Sequence, residues 1–301
     1  MIARSPRLDR PASGVARFSV PLALASPDHL NCHVIEGPEG PLLVDCGTAG
    51  SEDTVAAGLA LVGVSAVGLV VTHGHIDHWG CATAFAETVS AHPEVEMSFR
   101  FARNGPGDHD ALPTTDLEAM ERAFGGFRRL VTGVPEIIPL HGGQRLGDWE
   151  VIWTPGHDPG HICLWREADG VLLCGDLLLP GFTPNIQPAP GHEDTLQEYL
   201  DSLDRVAELP VRVVLPAHGD PYADAAARAR QLKRHHQERL AKIAGLIAAA
   251  PRSVDDLAND LFGDIASPGD RMLAAMETYA HLRHLDRSGS AVWSEDGWLA
   301  P

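Results

Sequence analysis

The feature that most constrains this chain is a short run of metal-binding side chains at the end of an apolar stretch. The letters GLVVT, typical of a buried β-strand, are followed at residues 73–78 by HGHIDH. Alternate residues of an extended segment face the same side, so His73, His75 and Asp77 can converge, and His78 joins them where the chain turns into a helix. Because three imidazoles and a carboxylate so close together have little structural purpose without a metal, the run predicts a zinc site after a strand.

Three further candidates follow at intervals along the chain. His157, Asp176 and His218 each lie in a Gly or Pro turn after an apolar stretch, and these turns read TPGHDPGH, CGD and PAHG. Any one of them alone would more often be an ordinary loop residue, but together with the first run they complete two metal sites. The candidate metal ligands are therefore His73, His75, Asp77, His78, His157, Asp176 and His218.

Apolar runs and polar turns alternate through the first three quarters of the chain, which predicts an α/β layered architecture. Helices are predicted at 51–62, with Ser51 as a candidate N-cap, at 79–89 and at 195–209. The predicted strands include 68–72, 149–154, 162–165, 171–174 and 211–215.

The character of the sequence changes after residue 222. Three helices and a hairpin are predicted there, at 223–250, 254–262, 270–286 and 289–299. Pro251 ends the first of these helices, Ser253 can cap the second, and the hairpin turns at Asp296-Gly297. This order of elements is that of a winged helix-turn-helix.

These patterns divide the chain into two predicted domains. Residues 1–222 form the catalytic domain, and residues 223–301 form a small winged-helix-like domain. Within the first, residues 98–140 contain several turns around one helical stretch near 116–130. We interpret this segment as an insertion, and both a lid over the site and an ordinary surface excursion remain open.

Charge and composition exclude several classes of function. The 301 residues carry 41 acidic and 23 basic side chains, giving a formal net charge of −18. Such a surface repels phosphate backbones, so nucleic acid is not an expected partner. The five cysteines are scattered, which predicts buried free thiols. No signal peptide and no apolar stretch of about 20 residues is found, so we expect a cytoplasmic protein away from membranes.

The order of the motifs, HxHxDH, then PGHDPGH, then GD, then AHG, resembles the metallo-β-lactamase superfamily. The glyoxalase II-like branch is the closest match, over roughly residues 15–222. The resemblance implies a four-layered αββα sandwich with the metals at one edge, followed here by the winged-helix-like domain of lactamase-beta-like proteins. It also implies that one zinc ion is held by His73, His75 and His157, the other by Asp77, His78 and His218, and both by Asp176.

The same resemblance implies roles for two further residues. Asp45, in the turn VDCG, matches an aspartate that orients a metal ligand. His161 matches a histidine of its turn that is not a ligand, so its expected role is structural.

The resemblance implies a hydrolase with two bound zinc ions. The two cations would lower the pKa of a bridging water from about 15.7 towards about 7, and the metal-bridging hydroxide would attack the carbonyl of a thioester or related ester. Asp77 is the expected catalytic residue, because it would orient the nucleophile and help to move its proton. Asp176 separates the chain from true β-lactamases, which generally lack that residue. The expected partner is a small-molecule acyl substrate. Whether the acyl group is attached to an anionic carrier, and whether the protein forms a homodimer, both stay open.

Two other functions stay open at this point. Persulfide dioxygenases share the fold and motif but use a single iron, and a metal-dependent endoribonuclease would use the winged helix to hold RNA. Against the nuclease, residues 224–301 hold 10 basic and 11 acidic side chains, whereas nucleic-acid modules are usually basic. Six basic residues do cluster on the long predicted helix. They could form a solvated face, a dimer contact or a site for an anion such as a CoA phosphate. These residues are Arg228, Arg230, Lys233, Arg234, Arg239 and Lys242. Four histidines of the predicted C-terminal helices are interpreted as surface or packing residues: His235, His236, His281 and His284.

Overall fold

The computed structural model describes residues 7–22, 27–65, 67–104, 128–265 and 267–301. Two mixed β-sheets and a set of helices account for most of them. The first sheet contains β1 (Leu8–Ala12), β2 (Val15–Pro21), β3 (His29–Gly37), β4 (Gly40–Val44), β5 (Gly68–Val70), β6 (Thr88–Ala91) and β7 (Glu136–Pro139), in that order. The second contains β8 (Arg145–Leu146), β9 (Trp149–Trp153), β10 (Ile162–Arg166), β11 (Val171–Gly175) and β12 (Val213–Pro216).

The helices and one hairpin complete the described elements. The helices are α1 (Glu52–Val62), α2 (Ile76–Trp79), α3 (Glu96–Asn104), α4 (Thr195–Ala207), α5 (Ala225–Ala249), α6 (Val254–Phe262) and α7 (Pro268–Arg287). The hairpin joins β13 (Val292–Ser294) to β14 (Gly297–Leu299). No helix in the described ranges has both the length and the apolar character needed to cross a membrane.

The two sheets pack face to face, and helices cover their outer faces. Alternate residues of each strand point to opposite sides, so Val15 and Ile35 of the first sheet meet Val151 and Leu164 of the second in one buried cluster. The opposite face of the first sheet packs against α1 and α2 through residues that include Phe18, Val55 and Trp79. The opposite face of the second packs against α4, α5 and α7 through Leu172, Tyr199, Leu232 and Ala280. The predicted α/β class is therefore confirmed, with helical layers outside two central sheets.

The parallel strands place the polar turns that contain the candidate ligands at one edge of the sheets. In the first sheet β4, β5, β6 and β7 run parallel to one another, and in the second sheet β11 and β12 are parallel. The carboxyl ends of adjacent parallel strands lie at the same edge of a sheet, where α/β proteins usually place their sites. The ends of β4, β5, β11 and β12 therefore lead directly into the polar turns picked out in the sequence.

The C-terminal elements follow the order predicted from the sequence. The second helix coincides with the prediction, and the Ser253 side chain accepts a hydrogen bond from the Asp256 N–H as an N-cap. In the hairpin, Ser294 pairs with Gly297, so the turn residues are Glu295 and Asp296, one position earlier than predicted. These elements share a small apolar core of their own. The division of the chain at residue 222 remains a prediction.

Two segments differ from the sequence-based expectation. The predicted helix at 79–89 is wrong: α2 ends at Trp79, and Thr88–Ala91 forms β6. In the segment 98–140, residues 105–127 lie outside the described part of the chain, including most of the predicted helical stretch. Its last residues form β7, which pairs in parallel with β6, so this end of the segment belongs to the sheet.

Gly156 allows the turn before His157 to pack closely against α4. It has a φ of 128°, and a Cβ there would lie 2.3 Å from the main-chain nitrogen of Tyr199. We expect Gly156→Ala to lower the free energy of unfolding by about 2 kcal/mol or more, because it adds backbone strain and a clash with the main chain. Chemical denaturation measures this change.

Gly245 provides the matched control for this substitution. It lies inside α5 with nothing within 4 Å of an added Cβ. Gly245→Ala should leave stability unchanged or raise it by about 0.5–1 kcal/mol, as expected from helix propensity. Equal effects of the two substitutions would contradict the close approach at Gly156.

Candidate metal centre

The loop after β5 is held in place by its neighbours before it presents any ligand. Asp45 follows β4 with a left-handed φ of 59°, and its carboxylate accepts hydrogen bonds from the Thr72 N–H and the Thr72 hydroxyl, both at 2.8 Å. The Trp79 indole N–H donates to the main-chain oxygen of Gly74 at 2.8 Å. Hydrogen bonds from the residues around it therefore hold this loop in place.

The structure brings all seven predicted ligands together, in two groups. The ligand atoms within each group lie within 4.8 Å of one another. The first group is His73, His75, His157 and Asp176, and the second is Asp77, His78 and His218. The first run of the sequence supplies two members of each group, and the second sheet supplies the others.

Asp176 lies between the two groups with one oxygen towards each. Its Oδ2 is 3.6 Å from Nε2 of His157 and 4.0 Å from Nε2 of His73. Its Oδ1 is 3.5 Å from Nε2 of His218 and 3.7 Å from Nε2 of His78. One carboxylate thus faces both groups, which is the arrangement that two neighbouring metal ions sharing a ligand require.

The pattern of unpaired atoms fits bound metal ions. The Nε2 atoms of His73, His78, His157 and His218 are buried without a hydrogen-bond partner, as is Oδ1 of Asp176. Buried polar atoms are normally hydrogen bonded, because an unpaired one costs about 1–3 kcal/mol. Five such atoms pointing into one space are explained by cations that they would coordinate.

The other nitrogen of each imidazole has a partner that fixes the ring. The partners of Nδ1 are the Thr72 hydroxyl for His73 (3.1 Å), the Asp45 carboxylate for His78 (2.8 Å), the Asn185 main-chain oxygen for His157 (2.7 Å) and the His29 main-chain oxygen for His218 (2.6 Å). A proton on Nδ1 leaves the lone pair of Nε2 free for a metal, and such partners orient metal-bound imidazoles.

The charges around the site also prepare it for cations. Burial disfavours the ionised form of Asp77, but His78 and His218 outweigh this and lower its pKa to about 2. Burial likewise disfavours the charged form of His218, yet Asp176 and Asp77 raise its pKa to about 10. Against the same burial, Asp45, Asp77 and Asp176 raise the pKa of His78 well above its ordinary value. The neighbouring carboxylates therefore keep these two imidazoles protonated, and a bound metal ion would replace those protons.

Two residues outside the ligand groups have the surroundings expected of supporting roles. Asp45 orients both Thr72 and His78, as described above. His161 is fully buried; its Nε2 accepts a hydrogen bond from the Asp176 N–H at 3.1 Å, and its Nδ1 lies 2.7 Å from the Thr154 hydroxyl. It therefore orients the main chain of Asp176.

Two supporting residues were not predicted from the sequence. Thr72 could have been found from its position between a strand and His73, since a hydroxyl there can reach the ring. Asn185 left no such signal, because its main-chain oxygen is the group that contacts His157.

A third group of buried ligand-type side chains lies between α5 and α7. It contains His236, Glu277 and His281. Nδ1 of His281 donates to the main-chain oxygen of Glu277, and its Nε2 lies 3.1 Å from Nδ1 of His236. The Glu277 carboxylate accepts hydrogen bonds from Arg239 and Asn185. Nε2 of His236 is buried without a partner. Because Arg239 pairs with the Glu277 carboxylate and both nitrogens of His281 have partners, we interpret this group as a packing network.

Comparisons with known proteins agree with the fold and the site. The family model of the Metallo-beta-lactamase superfamily matches residues 25–218, a span that contains every candidate ligand. The chain therefore belongs to the metallo-beta-lactamase superfamily. Like other members of that superfamily, it carries clusters of His and Asp that can bind metal ions.

Among the proteins similar over most of the chain are a Bacillus protein and a Thermus protein of known structure. The probable metallo-hydrolase YqjP of Bacillus subtilis (strain 168) is 26% identical over 269 residues, which are 82% of this chain and 82% of that protein. The crystal structure of the metallo-beta-lactamase family protein TTHA1429 from Thermus thermophilus superposes with a TM-score of 0.81 at 30% identity, covering 96% of this chain and 99% of that one.

Two less extensive similarities concern substrate and metal. The acyl-coenzyme A thioesterase MBLAC2 of Bos taurus is 30% identical over 162 residues, which are 50% of this chain and 54% of that protein. The crystal structure of TTHA1623 in a di-iron-bound form has a TM-score of 0.52 at 28% identity, covering 68% of this chain and 95% of that one.

Asp176→Asn tests the shared carboxylate. The change keeps the size of the side chain but removes the charge that faces both groups. After loading with excess divalent metal and dialysis, we expect the variant to lose at least one bound ion per chain, as measured by plasma mass spectrometry. Asp53→Asn, on the exposed side of α1, is the control and should bind as the wild type does. Full occupancy with unchanged affinity in Asp176→Asn would show that Asp176 is not shared.

Metal binding should also depend steeply on pH. Because His78 and His218 have raised pKa values and hold protons at neutral pH, an incoming ion must displace both protons. We expect release of about two protons per chain near neutral pH, and an affinity that falls by up to about a hundredfold for each unit of decreasing pH. Calorimetric titration in buffers with different ionisation enthalpies measures the proton release. An affinity independent of pH between about 6 and about 8 would contradict this assignment of ligands.

Proposed function

We propose that this protein is a dinuclear zinc hydrolase that cleaves a thioester or a related ester. The observation that carries the proposal is the position of Asp176, with one carboxylate oxygen towards each of two groups of metal-ligand atoms. Histidine nitrogens with carboxylate oxygens form a ligand set that zinc favours.

The bound cations would supply a hydroxide nucleophile at neutral pH and would polarise the substrate carbonyl. Asp77 stays ionised. Burial raises its pKa, but the neighbouring imidazoles outweigh this effect and lower the pKa to about 2. Its Oδ2 lies 3.3 Å from Nε2 of His218, at the edge of the second group. An ionised carboxylate in this position can accept a hydrogen bond from a nucleophilic water and orient it.

The thioester class is supported by one similarity and one residue. MBLAC2, which matches half of this chain, is named as an acyl-coenzyme A thioesterase. The presence of Asp176 favours a glyoxalase II-like hydrolase over a true β-lactamase. The proposed substrate is thus a small acyl thioester, and the proposed location is the cytoplasm, where the five free, buried cysteines would stay reduced.

The C-terminal helices do not favour the nuclease alternative. We propose that they and the hairpin form a winged-helix-like unit, but its basic side chains are largely used within the chain. Arg228 donates to the main-chain oxygens of Leu179 and Phe182. Lys233 pairs with Asp204, Arg239 with Glu277, and Lys242 donates to the main chain of Asp260. Binding of phosphates along RNA would have to compete with these contacts, although Arg230 and Arg234 remain exposed.

A substrate and metal screen tests the proposal. Purified enzyme is loaded with zinc or with iron(II) and offered acyl-CoA, acyl-glutathione, lactone and phosphodiester substrates, and release of free thiol is followed. We expect thioester hydrolysis by the zinc form that is lost on chelation and restored by zinc.

Two outcomes would contradict the proposal. One is tight binding of about one iron and no zinc per chain, together with oxygen consumption in the presence of a persulfide. The other is cleavage of phosphodiesters alone, with no release of thiol from any thioester.

A further inference from the structure

The segment that follows Asp176 is held by polar contacts from helices outside the sheets. The Tyr199 hydroxyl donates to the main-chain oxygen of Leu177 at 2.9 Å. The Tyr222 hydroxyl, close to the start of α5, donates to the main-chain oxygen of Leu178 at 2.7 Å. Arg228 adds two contacts further along the same segment, as described above. The path of the chain away from Asp176 is therefore fixed by α4 and α5.

The same segment ends at Asn185, which joins the metal centre to α7. The main-chain oxygen of Asn185 accepts the Nδ1 hydrogen of His157 at 2.7 Å. Its side-chain nitrogen donates to Oε2 of Glu277 at 2.8 Å and to the main-chain oxygen of Leu273 at 3.2 Å. One residue of the loop thus contacts a candidate ligand with its backbone and a helix with its side chain.

Glu277 is itself held rigidly. Its carboxylate is paired with Arg239 of α5, and the side chains of Arg239 and Glu277 are only 12% and 5% exposed. The Arg239 guanidinium also lies over the ring of Phe262, 4.5 Å from its centre. A buried ion pair contributes little net stability, but removing one partner costs about 3–5 kcal/mol, so its geometry is strongly constrained. Glu277 therefore offers Asn185 a fixed acceptor.

We propose that Asn185 and Glu277 are positioning residues for the metal centre, which hold the main-chain oxygen of Asn185 where it orients His157. The inference rests on the proposed metal centre, but not on the proposed substrate. Without this contact, the His157 ring could rotate or change the nitrogen that carries its proton, and its Nε2 would no longer be held towards Asp176.

This arrangement predicts an effect on one ligand group and not on the other. The orienting partners of His73, His78 and His218 are Thr72, Asp45 and the main chain of His29, which all belong to the first sheet or its connections. Among the described residues, only His157 takes its orienting partner from a loop tied to α7. Loosening that loop should weaken metal binding at the first group and spare the second. A general loss of stability would affect both.

The test uses the full-length protein and measures the two stepwise zinc affinities by competition with a chromophoric chelator, together with the unfolding midpoint of the metal-free protein. Asn185→Ala removes the amide but keeps the main-chain oxygen and the ion pair behind it. In this variant we expect one of the two zinc-binding steps to have an affinity about 10- to 100-fold below that of the wild type. The affinity of the other step should not change. The matched control is Asn259→Ala, on an exposed face of α6.

An exchange of partners separates positioning from packing. Glu277→Gln and Asn185→Asp each disturb the donor and acceptor pair, whereas the double variant restores a hydrogen bond in the reverse direction and keeps one negative charge near Arg239. We expect the double variant to regain at least part of the affinity that the worse single variant loses. Glu238→Gln, exposed on α5, is the control for the loss of a carboxylate.

Each outcome decides the inference. Stepwise affinities within about twofold of the wild type in Asn185→Ala and Glu277→Gln would overturn it, as would equal weakening of both steps without rescue by the double variant. Failure of the wild type to bind any divalent metal would overturn both this inference and the proposed function. If two ions bind but no thioester is cleaved, only the proposed function fails, and the affinities still decide the role of Asn185.

Discussion

The shared carboxylate of Asp176 is the interaction on which the rest of the site depends. Four imidazole nitrogens lie within 4.0 Å of its two oxygens, and Asp176 contributes to the raised pKa of both His78 and His218. The contact from His161 to the Asp176 main chain, and the fixed segment after it, keep this carboxylate in place. The surrounding fold can be understood as a support for one anionic group between two groups of ligands.

Placing so many polar groups inside the protein has a cost that metal ions would offset. Asp45, Asp77 and Asp176 are all buried, and so are most of the facing imidazoles. In the metal-free protein, raised pKa values at His78 and His218 supply part of the missing positive charge. Bound cations would replace those protons and satisfy the unpaired nitrogens at the same time. Metal binding and the stability of this edge of the fold are therefore expected to be linked.

The candidate site could be predicted from the sequence because its ligands follow strands in short turns. The run from His73 to His78 is local, and His157, Asp176 and His218 stand in similar turns, so pattern and spacing were sufficient to predict that these side chains come together. Asn185 could not be predicted, because any residue has a main-chain oxygen and its side-chain partner is 92 positions away. The predicted helix at 79–89 failed for a related reason: local composition favoured a helix, whereas pairing with β5 and β7 makes residues 88–91 a strand. Contacts distant in sequence decide such cases.

The origin of the ligands has a mechanical consequence for the whole domain. His73 to His78 follow a strand of the first sheet, whereas His157, Asp176 and His218 follow strands of the second. Ions coordinated by both sets would act as cross-links between the sheets, closing a long loop of chain that the unfolded protein leaves open. Such a cross-link reduces the conformational entropy of partly opened states, much as a disulfide does. The edge of the sheets that contains the candidate metal centre would then also link the two sheets to each other.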